Sequence, residues 1–460
     1  MNKWEKIWKK RETIYIPSIK YTLIRTYSRI LFDSFYKKIH VRGFEKVSRT
    51  DPVIFAPNHQ CALMDALAIV YKCKKLQPVF LARQDVFKSY LAARILTILK
   101  IMPVYRDRDG GAEAIKKNEK IFDIVNETLL NKKQIGIMPE AAHGDKRRLK
   151  NTMKGAYRIA FRAQEAFGDQ PAVKIVPVGL EYTDYWKYQA ELMVNYGDAI
   201  EVCEYMPLFN ENPAKAILEI KKRYEEEVKK LMIHIGSEEY YETYEGLRII
   251  YGKTMQIKTN TSSAKLPDQV QTDKKMIVKV EEIEKNDPQK MKSLHENVTQ
   301  YFQILKKVNL RNWVIAKGKF SFFSLLSQSL LAILFLPLFL YGFINNFFPF
   351  KIPVWIVKKV EDIQFHSSVK FVVALFTFPI LYLVQFFIIV AFTRDLWWIE
   401  YAYLVSLPLT AWCTKIYYFT VKKLFAKWRF FGKKKGDEIQ SLLKLHKEII
   451  LQMNKITSKI

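Results

Sequence analysis

Between about residues 50 and 205, short runs of β-branched and aromatic residues alternate with longer stretches whose apolar residues recur at helical spacing. The strand-like runs occupy 53–56, 78–82, 135–138, 173–180 and 192–196. The helix-like stretches between them include 113–130 and 153–167. Alternation of this kind is typical of domains in which helices cover a central sheet. The pattern therefore predicts an α/β fold for this part of the chain.

Two long uncharged stretches lie in the C-terminal part of the chain. Residues 320–350 and 371–393 contain no Asp, Glu, Lys or Arg. A helix that crosses a bilayer requires about 20 apolar residues, so both stretches are long enough. A third candidate, 396–421, is weaker because it carries Glu400 and Lys415. We expect two or three transmembrane helices in 320–421, with buried helices of a soluble domain as the alternative.

Aromatic and basic residues flank this apolar region. Aromatic side chains typical of membrane interfaces are Trp355, Trp397, Trp398 and Tyr401. Lys and Arg residues cluster in 306–319 before the region and in 422–435 after it. Because such residues favour the cytoplasmic side, both flanks are expected there, which requires an even number of crossings. Residues 422–460 are accordingly interpreted as a basic cytoplasmic tail.

The N-terminal segment contains a helical pattern with one apolar side. The apolar positions are Ile19, Leu23, Tyr27, Ile30, Leu31 and Phe35, and the basic positions off that stripe are Lys20, Arg25, Arg29 and Lys37. A basic amphipathic helix is typical of segments that lie on an anionic membrane surface. A helix that packs on the core of its own domain is the alternative.

The distribution of charge narrows the choice of partner. The 460 residues include 74 Lys and Arg against 46 Asp and Glu, for a net charge of +28, which favours nucleic acids, membrane surfaces or acidic substrates. Residues 1–50 hold 13 basic and 4 acidic residues, and 422–460 hold 11 and 3. Membrane lipids are therefore the favoured partner. A nucleic-acid-binding protein is an alternative on charge alone, but no recognition motif is visible and we expect no nucleic-acid partner.

The most informative candidate chemistry follows the first predicted strand. His59 and Asp65 stand six residues apart, after an apolar run that ends at Pro57 and before a helical apolar pattern. A strand-to-helix turn would place both side chains at one end of the sheet. A neutral imidazole takes a proton from a hydroxyl best when a carboxylate holds its other ring nitrogen. We interpret His59 as a candidate general base and Asp65 as the residue that orients it, in an acyl transfer that needs no protein nucleophile.

Two further loops carry residues suited to an anionic substrate. The candidates are Glu140, His143, Arg147 and Arg148 in the loop after 135–138, and Arg106 and Arg108 in the loop that follows residue 104. Guanidinium groups bind phosphate with two parallel hydrogen bonds, so arginine-bearing loops beside a His/Asp pair favour a phosphate-bearing substrate. Solvated surface loops are the alternative.

The order of these blocks resembles the glycerophospholipid acyltransferase family, which includes the glycerol-3-phosphate and lysophosphatidate acyltransferases, over roughly residues 40–205. Asn58, His59 and Asp65 are similar to the family's first motif, whose His is the general base and whose Asp orients it. Arg106 is similar to the phosphate-binding Arg of the second motif. The resemblance implies an acyltransferase domain with a central mixed sheet flanked by helices.

The later motifs of the family have counterparts as well. Pro139 and Glu140 resemble the proline–glutamate of the third motif, which helps to hold the glycerol phosphate. Lys154 and Gly155 match the Lys-Gly that follows it, and Pro177 resembles the fourth motif, on the acyl-donor side. The resemblance implies acyl-CoA or acyl-carrier protein as the donor, and no metal or other cofactor.

Two positions depart from the family's pattern. Five residues separate His59 from Asp65 where the family has four, and a one-residue bulge at the start of the helix would restore their contact. After Glu140 the family continues with Gly-Thr-Arg, whereas this chain has Ala-Ala-His. The missing Arg bears on acceptor recognition, and Arg147 or Arg148 is a candidate to supply the charge.

These patterns predict five consecutive regions. They are a basic amphipathic interfacial helix in 1–45, an acyltransferase domain in 46–250, a linker and helical connector in 251–319, the transmembrane region in 320–421 and the basic tail in 422–460. The polar segment 257–275 is the expected linker because it is rich in Ser, Thr and Lys and contains a Pro.

The predicted function is transfer of a fatty acyl group from acyl-CoA or acyl-carrier protein to a glycerol-3-phosphate or lysophosphatidate-type acceptor in phospholipid biosynthesis. The enzyme is expected to be an integral membrane protein with its catalytic domain on the cytoplasmic face. The predicted catalytic residues are His59 and Asp65, and the predicted substrate-binding residues are Arg106, Arg108, Glu140, Arg147 and Pro177. The alternatives are another lyso- or amino-lipid acceptor, an inactive lipid-binding protein, and a metal-dependent hydrolase, for which the HExxH motif is absent.

Overall fold

The computed structural model describes residues 3–73, 76–105, 112–140, 143–261, 265–393, 396–434 and 436–458. The chain divides into two compact units. The first unit consists of residues 1–234 and 360–371, and the second of residues 235–359 and 372–460. Each unit is described by itself below.

Within the described residues, the first unit contains an eight-stranded sheet. Its strands are β1 (Lys38–Arg42), β2 (Val53–Pro57), β3 (Val79–Arg83), β4 (Ile101–Val104), β5 (Ile135–Gly136), β6 (Lys174–Tyr182), β7 (Glu191–Tyr196) and β8 (Ile200–Glu201). Neighbouring strands follow the order β1-β7-β6-β2-β5-β3-β4, with β8 paired to β6. The strands from β6 to β4 in this order are parallel, whereas β7 runs antiparallel to β6 and parallel to β1. The predicted α/β fold with a central mixed sheet is confirmed.

Helices of the first unit cover this sheet. They are α1 (Lys3–Glu12), α2 (Ile19–Phe35), α3 (Leu63–Lys72), α4 (Tyr90–Ile98), α5 (Ala112–Leu130), α6 (Lys154–Phe167), α7 (Met206–Glu211) and α8 (Pro213–Leu231). Every residue of β2 is buried, as expected for a parallel strand covered on both faces. Tyr157, Ala160 and Phe161 of α6 lie in the same core cluster as Ile54, since their spacing puts them on one helix face. The carboxyl ends of the parallel strands therefore meet at one edge, where the candidate loops begin.

Helix α2 packs on its own domain, while the predicted contact of its apolar stripe with a membrane stays a prediction. Its buried residues are Tyr21, Ser28, Phe32 and Phe35. Ile19, Leu23 and Ile30 remain 81%, 66% and 59% exposed. The helix therefore packs on its own domain by one face and presents most of the predicted apolar stripe on another.

Within the described residues, the second unit is helical. Its helices are α9 (Tyr241–Lys258), α10 (Leu266–Asn286), α11 (Pro288–Lys307), α12 (Asn312–Lys317), α13 (Phe322–Leu334), α14 (Leu336–Val357), most of α15 (His366–Thr393), α16 (Trp397–Lys433) and α17 (Asp437–Ile456).

The structure differs from the expected linker and tail. The segment 257–275 holds the end of α9 and the first half of α10. Helix α17 lies within the expected tail and buries one face. The Tyr251 hydroxyl of α9 hydrogen-bonds the side chains of Asn454 and Thr457 near the C-terminal end of α17. The polar residues of 257–275 misled the linker prediction because many of them lie on the solvent-facing sides of helices. The buried side of α10 is formed by residues such as Val270 and Met276.

The apolar helices of the second unit show large hydrophobic surfaces. In the part of the chain that the structure describes, one helix is long and apolar enough to cross a membrane, over Ile363–Thr393, with a mean hydropathy of 2.4 and none of its apolar window buried. α13 and α14 are bent by 54° at their junction and qualify only as one broken span or a re-entrant pair. Among the described residues, α16, which contains the third candidate, does not qualify. The expectation of two or three spanning helices therefore stays a prediction.

Polar side chains connect the apolar helices to one another. Tyr382 of α15 donates to the Asn346 side chain of α14 at 2.6 Å. Tyr403 of α16 donates to the Asn345 side chain at 2.6 Å, and Gln385 donates to the Asn345 carbonyl at 2.8 Å. Hydrogen bonds between helices of this kind give apolar helices a defined packing partner in a medium without water.

Candidate active site

His59 lies in the loop between β2 and α3. β2 ends at Pro57, and the His59 side chain is 12% exposed at the carboxyl edge of the sheet. Its Nδ1 lies 2.9 Å from Oδ2 of Asp65, whose side chain is fully buried. This contact assigns the Nδ1 proton to the Asp65 side and leaves Nε2 as the ring nitrogen that can accept a proton. The sequence-predicted pair is thus in contact, while its catalytic role stays a prediction.

The Asp65 carboxylate is held by four hydrogen bonds. Oδ2 also accepts the backbone N–H groups of Gln60 at 2.8 Å and Cys61 at 2.7 Å. Oδ1 accepts the Tyr182 hydroxyl at 2.7 Å. An acceptor-only carboxylate suits four donors, so Asp65 has one fixed position and fixes the His59 ring in turn.

The additional residue between His59 and Asp65 is accommodated at Ala62. This residue precedes α3 with φ 45° and ψ −123°, a conformation that glycine adopts and side chains disfavour. The local reversal lets the Asp65 carboxylate reach back to the amides of Gln60 and Cys61. The expected bulge at the helix start is therefore present as one strained residue.

Glu140 ties the His59 loop to the loop after β5. Its Oε1 accepts the His59 backbone N–H at 2.7 Å, and its Oε2 accepts the Lys150 backbone N–H at 2.6 Å. Burial raises the pKa of Glu140 to about 7, and the hydrogen bonds from the Lys150 and His59 amides act against this rise. Because both oxygens already have donors and the residue is 1% exposed, the geometry favours a supporting role. Its predicted contact with the glycerol phosphate stays a prediction.

His143 lies against the ring of His59. The two ring centroids are 4.1 Å apart at an interplanar angle of 66°, and Phe365 lies 5.0 Å from His143 on another side. Gly144 donates its N–H to the His59 carbonyl at 2.8 Å. Burial, followed by the proximity of His59, lowers the pKa of His143 to about 4, so this side chain is neutral at physiological pH. It does not supply the positive charge that the family's Arg provides at this motif.

Arg147 is committed to an internal ion pair. Its Nη1 lies 2.5 Å from Oε2 of Glu181, and its Nη2 donates to the Tyr182 carbonyl at 2.7 Å. Its guanidinium also lies 4.9 Å from the Tyr185 ring. The side chain is 4% exposed, which favours a structural role over the predicted contact with substrate.

The remaining predicted residues divide into two groups. Arg106 and Arg108 lie outside the described residues, so the structure gives no position for either side chain. Pro177 is buried within β6 and pairs with Ala56 of β2, one strand away from the His59 loop. Its predicted role on the donor side stays a prediction.

Sequence reasoning missed two residues that contact the site. Tyr182 ends an apolar strand, and a tyrosine at a strand end is a weak indication of a polar contact at the sheet edge. Phe365 is separated from His143 by more than 200 residues, and no local pattern marks it. In the part of the chain that the structure describes, no group of three or more His, Cys, Asp and Glu side chains could hold a metal ion.

Comparisons with known proteins find a matching family and a similar sequence. A protein-family model described as Acyltransferase matches residues 38–181. The chain is 25% identical over 205 residues to "Glycerol-3-phosphate O-acyltransferase 1" of Saccharomyces cerevisiae. The aligned region covers 44% of this chain and 26% of that protein. This chain therefore spans about a quarter of the length of that curated relative.

A solved structure is also similar to the chain. It is the crystal structure of the 1-acyl-sn-glycerophosphate (LPA) acyltransferase PlsC from Thermotoga maritima, at 17% identity. The match covers 46% of this chain and 79% of that one, with a TM-score of 0.31. A TM-score this low carries no conclusion about shared function.

Proposed function

We propose, on the premise that residues 38–181 belong to the acyltransferase family, that this protein is a membrane-bound O-acyltransferase. It would move a fatty acyl group from a thioester to a hydroxyl of a glycerol-3-phosphate or lysophosphatidate-type acceptor. The name of one relative supports this acceptor class, since that protein is a glycerol-3-phosphate O-acyltransferase. The reaction belongs to phospholipid biosynthesis.

The observation that carries the proposal is the chain of hydrogen bonds from Tyr182 through Asp65 to His59. His59 Nε2 takes the proton of the acceptor hydroxyl as the oxygen attacks the thioester carbonyl. The tetrahedral intermediate that results re-forms the carbonyl as its C–S bond breaks, and the departing thiolate takes the proton from the imidazolium. Asp65 stabilises the imidazolium that forms between these steps, so one histidine serves both proton transfers.

The acceptor's phosphate requires cations that the His59 loop does not supply. Among the predicted arginines, Arg147 is paired with Glu181, so Arg106 and Arg108 are the proposed phosphate contacts. Acyl-CoA or acyl-carrier protein is the proposed donor, and the protein's own residues carry the proton transfers without a metal. Another lyso- or amino-lipid acceptor is the second candidate, because the loop after Glu140 lacks the family's Arg.

Attachment to a membrane is supported by two separate surfaces. α15 presents apolar side chains such as Phe387 and Phe392, which are 64% and 82% exposed. α2 presents Ile19 and Leu23 on the catalytic unit. Exposed apolar area of this extent is unfavourable in water and matches a bilayer. The proposed location is integral, with the catalytic unit on the cytoplasmic face.

The test is an acyl-transfer assay with the purified full chain in detergent. Labelled acyl-CoA and acyl-carrier protein are offered with glycerol-3-phosphate, lysophosphatidate and amino-lipid acceptors. His59→Gln is expected to lower the rate by about 10²–10⁴-fold, the usual contribution of a general base. His40→Gln on β1 removes an imidazole that contacts Glu191 of β7, and this matched control should keep its rate.

The outcomes separate the candidates. A His59→Gln protein that transfers acyl groups near the wild-type rate would show that the mechanism is wrong. Wild-type protein that binds lyso-lipids but acylates no acceptor would favour the inactive lipid-binding alternative. Release of the protein from membranes by alkaline carbonate would contradict integral attachment.

A further inference from the structure

A cavity that none of the functional assignments above uses lies in the first unit, between α1 and the loops that follow β3 and β4. Its volume is about 350 Å³. Trp4 and Trp8 of α1 line one side, and Phe87 and Tyr105 line the loops opposite. Three cationic side chains, Arg11, Lys88 and Lys117, and the amide of Gln84 complete the lining. Aromatic walls with cationic edges are suited to a planar, phosphorylated ligand.

Arg11 is the buried cation of this cavity. It is 2% exposed, its Nε donates to Thr97 Oγ1 at 3.2 Å, and its Nη2 has no partner among the described residues. The guanidinium lies 5.0 Å from the ring of Trp8 and 5.3 Å from that of Phe87. Burial lowers its pKa to about 10, which keeps it charged at physiological pH. A buried charge with an unused donor is costly unless an anion or acceptor completes its hydrogen bonds.

Gln84 adds an unused acceptor to the same cavity. Its Oε1 is buried without a hydrogen-bond donor among the described residues. A phosphate alone would satisfy Arg11 but would leave this acceptor unpaired, because a phosphate at neutral pH is mainly an acceptor. A ligand that carries both a phosphate and a purine amino group would satisfy both residues, since the phosphate accepts from Arg11 and the amino group donates to Gln84.

The position of the cavity relates it to the reacting centre. Gln84 and Phe87 follow β3, Tyr105 follows β4, and His59 follows β2 along the same carboxyl edge. The sheet order is β2-β5-β3-β4, and strands lie about 4.8 Å apart, so the cavity lies about 10–15 Å from the His59 loop. In acyl-CoA, a flexible arm of similar reach separates the nucleotide from the thioester.

We propose that this cavity binds the phosphorylated adenosine of an acyl-CoA donor, with its base among the aromatic rings and its phosphates at Arg11, Lys88 and Lys117. The inference rests on the proposed acyltransferase function and selects acyl-CoA over acyl-carrier protein as the donor. It also gives α1 a role in substrate binding. The lysines would contact phosphates at the open side, since Lys88 is exposed.

The test compares three variants of the full chain in detergent. Adenosine 3′,5′-bisphosphate and coenzyme A are titrated calorimetrically, and the KM values for palmitoyl-CoA and for the acceptor are measured. Lys88→Gln is expected to raise the Kd of both nucleotides and the KM for palmitoyl-CoA about fivefold, and Arg11→Gln about tenfold or more, with the acceptor KM unchanged. Lys10→Gln is the matched control, because Lys10 is an exposed lysine of α1 that does not line the cavity.

Each result decides the inference. Arg11→Gln removes a buried side chain, so its melting temperature is checked, while Lys88→Gln tests the same site without that complication. Equal nucleotide affinity in Lys88→Gln and Lys10→Gln would overturn the assignment. A change in the acceptor KM instead would place the acceptor's phosphate or a lipid headgroup in the cavity. Transfer from palmitoyl-carrier protein without nucleotide binding would overturn this inference and leave the proposed function standing. Nucleotide binding without transfer to any acceptor would support the nucleotide site and contradict the proposed acyl transfer.

Discussion

At the scale of single residues, the candidate site depends on how completely Asp65 is held. Three of its four donors come from the short His59 loop itself, and the fourth comes from Tyr182 at the end of β6. A carboxylate with this many donors cannot rotate, so the imidazole it orients has a fixed direction. Glu140 adds a further anchor by accepting the His59 backbone N–H.

Removal of the Tyr182 hydroxyl tests the hydrogen bond that it donates to Asp65. Tyr182→Phe keeps the ring and removes about 1 kcal/mol of hydrogen bonding, so we expect kcat to fall about threefold to tenfold. Tyr196→Phe on β7 is the matched control, because its buried hydroxyl has no partner among the described residues. Steady-state kinetics of both variants check the prediction, and an equal kcat for both would contradict it.

The strained backbone at Ala62 gives a second prediction. With φ at 45°, glycine removes the clash of the Cβ atom, so Ala62→Gly is expected to raise the free energy of unfolding by about 1 kcal/mol. Ala66→Gly, in the interior of α3, should instead lower it by about 0.5–1 kcal/mol. Denaturant unfolding followed by fluorescence distinguishes the two signs. Destabilisation by both substitutions would show that Ala62 is not strained.

At the scale of elements, the same type of amphipathic helix has different partners in the two units. α2 buries Phe32 and Phe35 on its domain and leaves Leu23 and Ile30 exposed. α17 buries the residues Ile439, Leu442, Leu445, Ile449, Met453 and Ile456. The exposed lysines of α17 therefore form the outer face of a packed bundle with α9 and α11, where a basic tail was expected.

Packing of α17 is tested by truncating one buried side chain. Ile449 is fully buried, so Ile449→Ala is expected to cost about 2–5 kcal/mol through lost burial and the cavity left behind. Leu451 is 50% exposed two residues later, and Leu451→Ala should change stability by less than about 0.5 kcal/mol. Thermal unfolding and limited proteolysis of the C-terminal region measure the difference. Equal behaviour of the two variants would favour an unpacked tail.

At the scale of the whole molecule, buried histidines affect the pH range in which the first unit is stable. His234 accepts the Leu149 backbone N–H at its Nδ1, 3.1 Å away, and burial lowers its pKa to about 4. Burial of His143 acts in the same direction. In the unfolded chain both imidazoles bind protons below about pH 6.5. Unfolding therefore takes up protons between pH 6.5 and 4, and these residues lower stability as the pH falls through that range.

The acid sensitivity should decrease when His234 is replaced. His234→Asn keeps an acceptor for the Leu149 N–H and cannot titrate, so its melting temperature should fall less steeply than the wild-type value between pH 6.5 and 4. Above pH 7 the difference between the two proteins should be constant. Melting curves across pH 4–8 measure this, and parallel pH profiles would contradict the assigned pKa direction.

Much of this protein is determined by local sequence. The alternation of strand-like and helix-like runs predicted five of the eight strands of the described sheet, because burial of parallel strands requires continuous apolar residues such as those of β2. The order of the motif blocks indicated the acyltransferase family, and a family model described as Acyltransferase matches residues 38–181. The spacing of His59 and Asp65 pointed to a contact that is present, since a strand-to-helix turn leaves few positions for two nearby side chains.

The tertiary structure decided which charged side chains are paired inside the protein and which helix faces are buried. Arg147 read as a phosphate contact in the sequence, but it is neutralised by Glu181, which follows it by 34 residues. Tyr182 and Phe365 reach the site from distant positions, and α17 is covered by helices more than 100 residues away. The local sequence pattern specifies the periodicity of a helix or strand, and it identifies the residues of that element that can make a contact. The partner comes from another part of the chain, and only folding brings the two together.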